Sequence, residues 1–211
     1  MSELRLNITM SLDGYSGGPD MSEENPMGVG AMALHNWAFP LREFQQMHGG
    51  SEGEVNASSA VVQERWENIG ATIMGRRMFG PDSGPWGEDP WTGWWGDDPP
   101  YHHPVFVLTH HPREPLVMQG GTTFHFVSQG IETALEQARE AADGRDVLLA
   151  GGASVVNQYL SAGLIDELDL SISPLILGAG TRLFEGVDRM ELEQVRAVEA
   201  PGVTHIKYRR P

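Results

Sequence analysis

Leu148-Leu149-Ala150-Gly151-Gly152-Ala153-Ser154-Val155 is the stretch that decides the fold. Val147-Leu148-Leu149 is an apolar run with no alternation, which predicts a strand buried on both faces. Two glycines follow, then a helical pattern from Ser154 to Ala162. Glycines let backbone N–H groups come close to an anion, and a helix N-terminus adds positive potential. The turn therefore has two readings, a cradle for a pyrophosphate or a tight strand-to-helix connection.

Other segments read outward from it in the same way. Glu167 to Ser173 alternates as a strand, and Leu192–Val198 with Val203–Arg209 predicts a hairpin turning at Pro201-Gly202. Upstream, Ile131 to Ala142 is an amphipathic helix with Ile131, Ala134, Leu135 and Ala138 on one face. Thr122–Val127, Val105–Leu108 and Ala71–Met74 predict strands, the last followed by Gly75 and a helical turn at Arg76–Phe79. Asn56 suits an N-cap for a helix from Ala57 to about Asn68, closed by Gly70, and Phe39–Met47 suits a short helix. Leu4, Leu6, Ile8 and Met10 alternate with polar residues as a first strand, ended by the turn Ser11-Leu12-Asp13-Gly14. Residues 16–34 and 80–103 read as loops, the second carrying Trp86, Trp91, Trp94 and Trp95. The sum is an α/β sheet, parallel in the centre and antiparallel at one edge, whose ligands belong outside the carboxyl ends of the strands.

Composition limits the function. The 211 residues suit one domain, with no internal repeat. There is no cysteine, which excludes disulfides, thiolate catalysis and cysteine-ligated metals. Net charge is 14 − 29 = −15, so nucleic acid and anionic membranes are poor partners. No apolar run approaches a membrane span and no secretory leader is visible, so a soluble cytoplasmic protein is expected. One of the 14 basic residues is a lysine, Lys207.

Two further strand ends carry chemistry. Ile73-Met74-Gly75-Arg76-Arg77-Met78 sets two arginines where a helix begins, and Leu108-Thr109-His110-His111-Pro112-Arg113 adds a hydroxyl and a third arginine. Arginine and hydroxyl groups converging on one point suit a phosphate monoester; singly, each segment also reads as a solvated patch. The G-x-G-x-x-G, P-loop and G-x-S-x-G patterns are absent. His102-His103 and His110-His111 make a metal site conceivable, but adjacent strand residues point to opposite faces, so no metal is assigned. The tryptophan loop reads as a self-packed loop, an interface or a lid, and Trp37, Trp86 and Trp91 as candidate stacking walls for a flat heterocycle.

With these segments in order, the chain resembles the dihydrofolate reductase-like superfamily. It is most similar to the reductase domain of bifunctional riboflavin-biosynthesis deaminase/reductases and its stand-alone bacterial relatives. The segments that carry the likeness are Ser11-Leu12-Asp13-Gly14, Met74-Gly75-Arg76-Arg77, Val107-Leu108-Thr109, Ala150-Gly151-Gly152-Ala153-Ser154, Gly163–Leu168 and Pro174–Gly180. The resemblance implies one domain over residues 1–211, a mostly parallel mixed sheet flanked by helices, and insertions at about 18–56 and 81–103. It implies NADPH bound across the strand ends. Gly75, Arg76 and Arg77 then lie at the 2′-phosphate and pyrophosphate. Leu108, Thr109 and His110 fall on the adenosine side, with Gly151, Gly152, Ala153, Ser154 and Val155 at the pyrophosphate. Thr9, Ser16 and Gly17 border the nicotinamide.

The expected activity is NADPH-dependent reduction of a pterin-, pyrimidine- or flavin-like heterocycle, by a homodimer. Asp13 is the candidate catalytic residue, orienting a substrate N–H or relaying a proton; its other reading is a cap on the Asp-Gly turn. Folate reductases carry a carboxylate at the start of the first helix, where this chain has Asn56-Ala57-Ser58-Ser59-Ala60. That departure keeps a second expectation open, an NADP-binding protein without turnover. Without cysteine, the zinc ligands of a deaminase domain are missing too.

Overall fold

A computed structural model describes residues 2–211. The chain begins with β1 (Leu4–Ser11) and a short β2 (Tyr15–Gly17). Then come α1 (Arg42–Met47), α2 (Ala57–Trp66), β3 (Ile69–Gly75), α3 (Arg76–Phe79), β4 (Pro104–Leu108), β5 (Leu116–Val117) and β6 (Thr123–Val127). The rest is α4 (Ile131–Ala141), β7 (Asp146–Gly151), α5 (Ala153–Ser161), β8 (Glu167–Ser173), β9 (Thr181–Arg182), β10 (Glu193–Ala200) and β11 (Val203–Arg209). The main sheet has nine strands in the order β10-β11-β8-β1-β7-β3-β4-β6-β5. The six from β8 to β6 run parallel, with β11 and β10 antiparallel at one edge and β5 at the other. The expected mixed sheet with its C-terminal hairpin is present.

Local sequence accounts for most boundaries. Asn56 caps α2, accepting from the Ser58 N–H at 2.8 Å, while the Ser59 hydroxyl accepts from the Asn56 N–H in return. Gly70 does not close that helix as expected. The chain turns at Asn68, whose φ is 61°, and Gly70 lies inside β3, where a Cβ would collide with the Ala142 backbone. Residues 16–34, read as loop, begin with the last two residues of β2, which pairs with β9. There Gly180, at φ 128°, passes against the Gly17 carbonyl with no room for a side chain. Gly180→Ala should cost about 1–3 kcal/mol, read as a lowered denaturation midpoint with an unchanged slope.

The two faces of the sheet differ. Leu4, Leu6, Ala71, Ile73, Val147 and Leu149 pack under α4 and α5 as the main core. On the other face, Met74, Val105, Val107 and Phe124 pack under Phe79, Tyr101 and the tryptophans of 86–95. Beside that apolar patch lies a buried polar belt. Arg5, Asn7 and Thr9 of β1 stand in register with Glu167, Asp169 and Ser171 of β8. Arg65 from α2 donates to Asp169 at 2.6 Å and to Ser171 at 2.7 Å, and His205 bridges Ser171 and Ser58 at 2.8 and 2.9 Å. Lys207, the lone lysine, is buried here and donates to Glu64 and Glu167.

Candidate active site at the carboxyl ends of the strands

The register brings the three chemically marked strand ends together. Met74 pairs with Gly151, and Gly75 pairs with Leu108, so β7, β3 and β4 end side by side. A Cβ on Gly75 would stand 2.8 Å from Val155 Cγ2 and 3.7 Å from the Gly151 carbonyl. Glycine at 75 is thus what lets α5 seat its first turn on β3. A Cβ on Gly151, which has φ 126°, would meet Met78 Sδ at 3.7 Å and Ile8 Cδ1 at 3.9 Å, and the Gly151–Gly152 peptide is cis. No side chain caps the first turn of α5, and Gly152 and Ser154 face solvent. A helix start preceded by two glycines, with its first N–H groups free of any side-chain cap, has the chemistry to accept an anion. Ala153 and Val155 are buried, and the Val155 N–H is already bonded to Gly152 O at 3.0 Å, so Val155 acts through packing.

The remaining candidates fall into two groups. Thr109 is buried beyond β4; its N–H donates to Val127 and its hydroxyl accepts from the His111 N–H at 3.1 Å. His110 and Arg77 are exposed. Arg76 is only 6 % exposed and lies under Trp86, with its guanidinium carbon 3.8 Å from the ring centroid. On the other side, Thr9 is buried on the polar face of β1, while Ser16 and Gly17 lie in β2 beside Thr181.

Asp13 is fully engaged. Its two carboxylate oxygens accept from the Leu177 and Gly178 N–H groups at 3.0 and 2.8 Å, and Arg182 donates to its carbonyl. Hydrogen bonding from Ser11 and those two amides holds its pKa down at about 2. Asp13 thus ties the first turn to the 174–182 segment, an engagement that the Asp-Gly signal did not reveal. Asn157 of α5 anchors the same segment from the other side through Arg182 O and Phe184 N–H.

The tryptophans are mostly packed against the chain itself. Trp91 donates to Phe79 O at 3.0 Å and Trp86 to His111 O at 2.8 Å. Trp37 is buried edge-on to His205 at 4.8 Å. Trp37 is therefore a core residue, and Trp91 is half-buried against Phe79 and Trp94. Among the described residues no group of three or more His, Asp or Glu is placed to hold a metal ion, and no helix is long and apolar enough to cross a membrane. A groove of about 1210 Å³ opens at the opposite, amino ends of the strands between Trp66, Trp94, Trp95 and Tyr101. None of the candidate residues lines it, and parallel sheets place ligands at the carboxyl ends.

A nine-strand sheet of this order, with glycine and arginine strand ends meeting at a helix start, defines a dihydrofolate reductase-like α/β protein. The chain belongs to the RibD C-terminal domain family, whose model matches residues 2–205. Over 67 residues it is 42% identical to the uncharacterised protein YyaP of Bacillus subtilis, covering 31% of this chain and 36% of the relative. The alignment thus spans about a third of that curated relative. It superposes on a candidate riboflavin biosynthesis protein of Shewanella sp. PV-4 with a TM-score of 0.65 at 20% identity, covering 100% and 99% of the two chains. It also superposes on dihydrofolate reductase of Enterococcus faecalis complexed with NADP(H), with a TM-score of 0.51 at 14% identity over 99% and 96%. These two likenesses show the fold.

Proposed function

We propose that this protein is an NADPH-dependent reductase that delivers hydride to a small pterin-, pyrimidine- or flavin-like heterocycle, as one domain with insertions near 18–56 and 81–103. Membership in a family of reductase domains supports oxidoreductase chemistry. The observation that carries the cofactor assignment is the meeting of Gly75-Arg76, Thr109 and the Gly151-Gly152 helix start at adjacent strand ends. Three residue types suited to phosphate gather there in a chain of net charge −15.

NADPH, when bound, supplies the hydride; the protein's task is to hold it, orient the substrate and exclude water. Gly151, Gly152 and the first amides of α5 would hold the pyrophosphate, and Arg76 the 2′-phosphate. Asp13, ionised at neutral pH, is a positioning residue: it fixes the 174–182 segment beside the nicotinamide end and accepts rather than donates hydrogen bonds. The second reading, binding without turnover, rests on the start of α2, where no acid stands and Ser58 is already bonded to His205.

Calorimetry tests the assignment. NADPH should bind at least tenfold more tightly than NADH, and Arg76→Ala should erase that preference, because one charge-assisted phosphate contact is worth about 1.5–3 kcal/mol. Absence of binding by either nucleotide would overturn the assignment. Binding without oxidation of NADPH across a panel of pterins, pyrimidines and flavins would favour the second reading.

A further inference from the structure

Arg76 is an unusual arginine. It is nine-tenths buried, and among the described residues its Nε and Nη1 have no hydrogen-bond acceptor. Its ion-pair partner Asp82 stands 3.5 Å away and is largely exposed. A buried cation with unmet N–H groups is costly, so such a group is expected to be completed by an acceptor that arrives from outside. What stands over it is Trp86, with the guanidinium 3.8 Å from the indole centroid.

Arg113 packs on the same indole. Its guanidinium carbon is 4.8 Å from the Trp86 centroid and 5.0 Å from that of Phe126, and it donates to Trp91 O at 2.6 Å. Two like charges share one aromatic ring. Burial, with Arg113 adding to it, holds the Arg76 pKa below the usual arginine value. The indole itself is held by one hydrogen bond, Nε1–H to His111 O, and by edge-on contacts with Phe126 and Phe79 at 5.0 and 6.1 Å, from a loop that is otherwise glycine- and proline-rich. The aromatic ring satisfies the cations only weakly compared with an anion.

We infer that Arg76 and Arg113 form one anion pocket that Trp86 plugs, and that the adenosine-phosphate end of the dinucleotide binds by displacing the indole. This rests on the NADPH reading and adds to it a second phosphate-recognition residue, Arg113, and a gate supplied by the 80–103 loop. A flat adenine replaces a flat indole against the guanidiniums, and the phosphate supplies the acceptors that Arg76 Nε and Nη1 lack.

The test uses the full chain with two probes, NADPH and adenosine 2′,5′-bisphosphate. Trp86→Ala should bind both roughly tenfold more tightly than the parent, since displacement no longer breaks two cation–π contacts. Arg113→Ala should weaken both by tenfold or more. In the parent, either probe should shift tryptophan emission to the red as Trp86 enters water. Trp86→Phe, which keeps the packing, should bind but lose that shift, and thermal unfolding of each variant verifies folding. Weaker or unchanged binding by folded Trp86→Ala overturns the plug while leaving the NADPH reading intact. Failure of every folded variant and the parent to bind either probe overturns both.

Discussion

Lowering the pH from 7 to about 4 should unfold this chain, with stability falling by about 4 kcal/mol per pH unit at the steepest part. Three histidines are held neutral in the folded state. His205 is held at about 3, first by burial and then by Arg65 and Arg196. His35 is held at about 4 by burial and by Arg65, and His103 at about 4 by burial, Arg145 and His102. Each takes up a proton near pH 6.5 once the chain unfolds, so the unfolded state binds more protons throughout the interval between the two values. Stability is therefore fully present above pH 6.5 and is lost as the pH falls toward 4. Each group contributes about 1.4 kcal/mol per pH unit, and three together approach the whole stability of an ordinary domain within about two and a half units. Asp13, Glu43 and Glu64, whose carboxyl pKa values are also lowered, add to the loss at the acid end. Urea titrations at half-unit intervals of pH measure the slope. His205→Gln, which keeps a polar group between Ser58 and Ser171, should reduce it by about a third. An unchanged slope in that variant would show that His205 does not carry its share.

Periodicity made most of the fold legible. Glu167–Ser173 matches β8 at both ends, α4 and β6 fall within a residue, and the hairpin turns at Pro201-Gly202. Each of these segments is decided by neighbours in sequence. Strand order is not, because it depends on which apolar faces meet across 60 or more residues, and so the meeting of Gly75, Thr109 and Gly151 was visible only as three separate signals. The polar side of β1 was misleading in another way. Alternation of Leu4, Leu6 and Ile8 with Arg5, Asn7 and Thr9 reads as one core face and one wet face. Here the second face is also buried, because α2 covers it with Arg65 and Ser58. A signal existed: acids at Glu167 and Asp169 alternate along β8 as bases do along β11, at His205, Lys207 and Arg209. The roles of Arg76 and Arg113 were less legible, since nothing in sequence distance links either to Trp86.

Asp169→Ala should be the most damaging single substitution on that covered face, lowering stability by about 3–5 kcal/mol. Asp169 is 2 % exposed and accepts from Arg65 at 2.6 Å, with Arg196 a further 3.7 Å partner. Removing it leaves the buried Arg65 guanidinium with Ser171 Oγ as its remaining partner and no anion in contact. The penalty is the stranded cation, not the lost bond, so it should vanish when the cation is removed as well. Asp169→Leu combined with Arg65→Met should recover most of the stability, because a buried ion pair replaced by apolar groups of similar volume is often neutral or stabilising. Asp169→Asn, which keeps the acceptor oxygen but not the charge, should fall between. The recovery has a functional corollary. Arg65 also borders Trp37 and the Ser58–His205–Ser171 chain, so the double variant tests whether this belt does more than hold α2 on the sheet. If the belt is purely structural, the stable double variant binds NADPH as the parent does and oxidises it with any accepted heterocycle at the same rate. A stable variant with parental cofactor binding but lost turnover would place the substrate against this face.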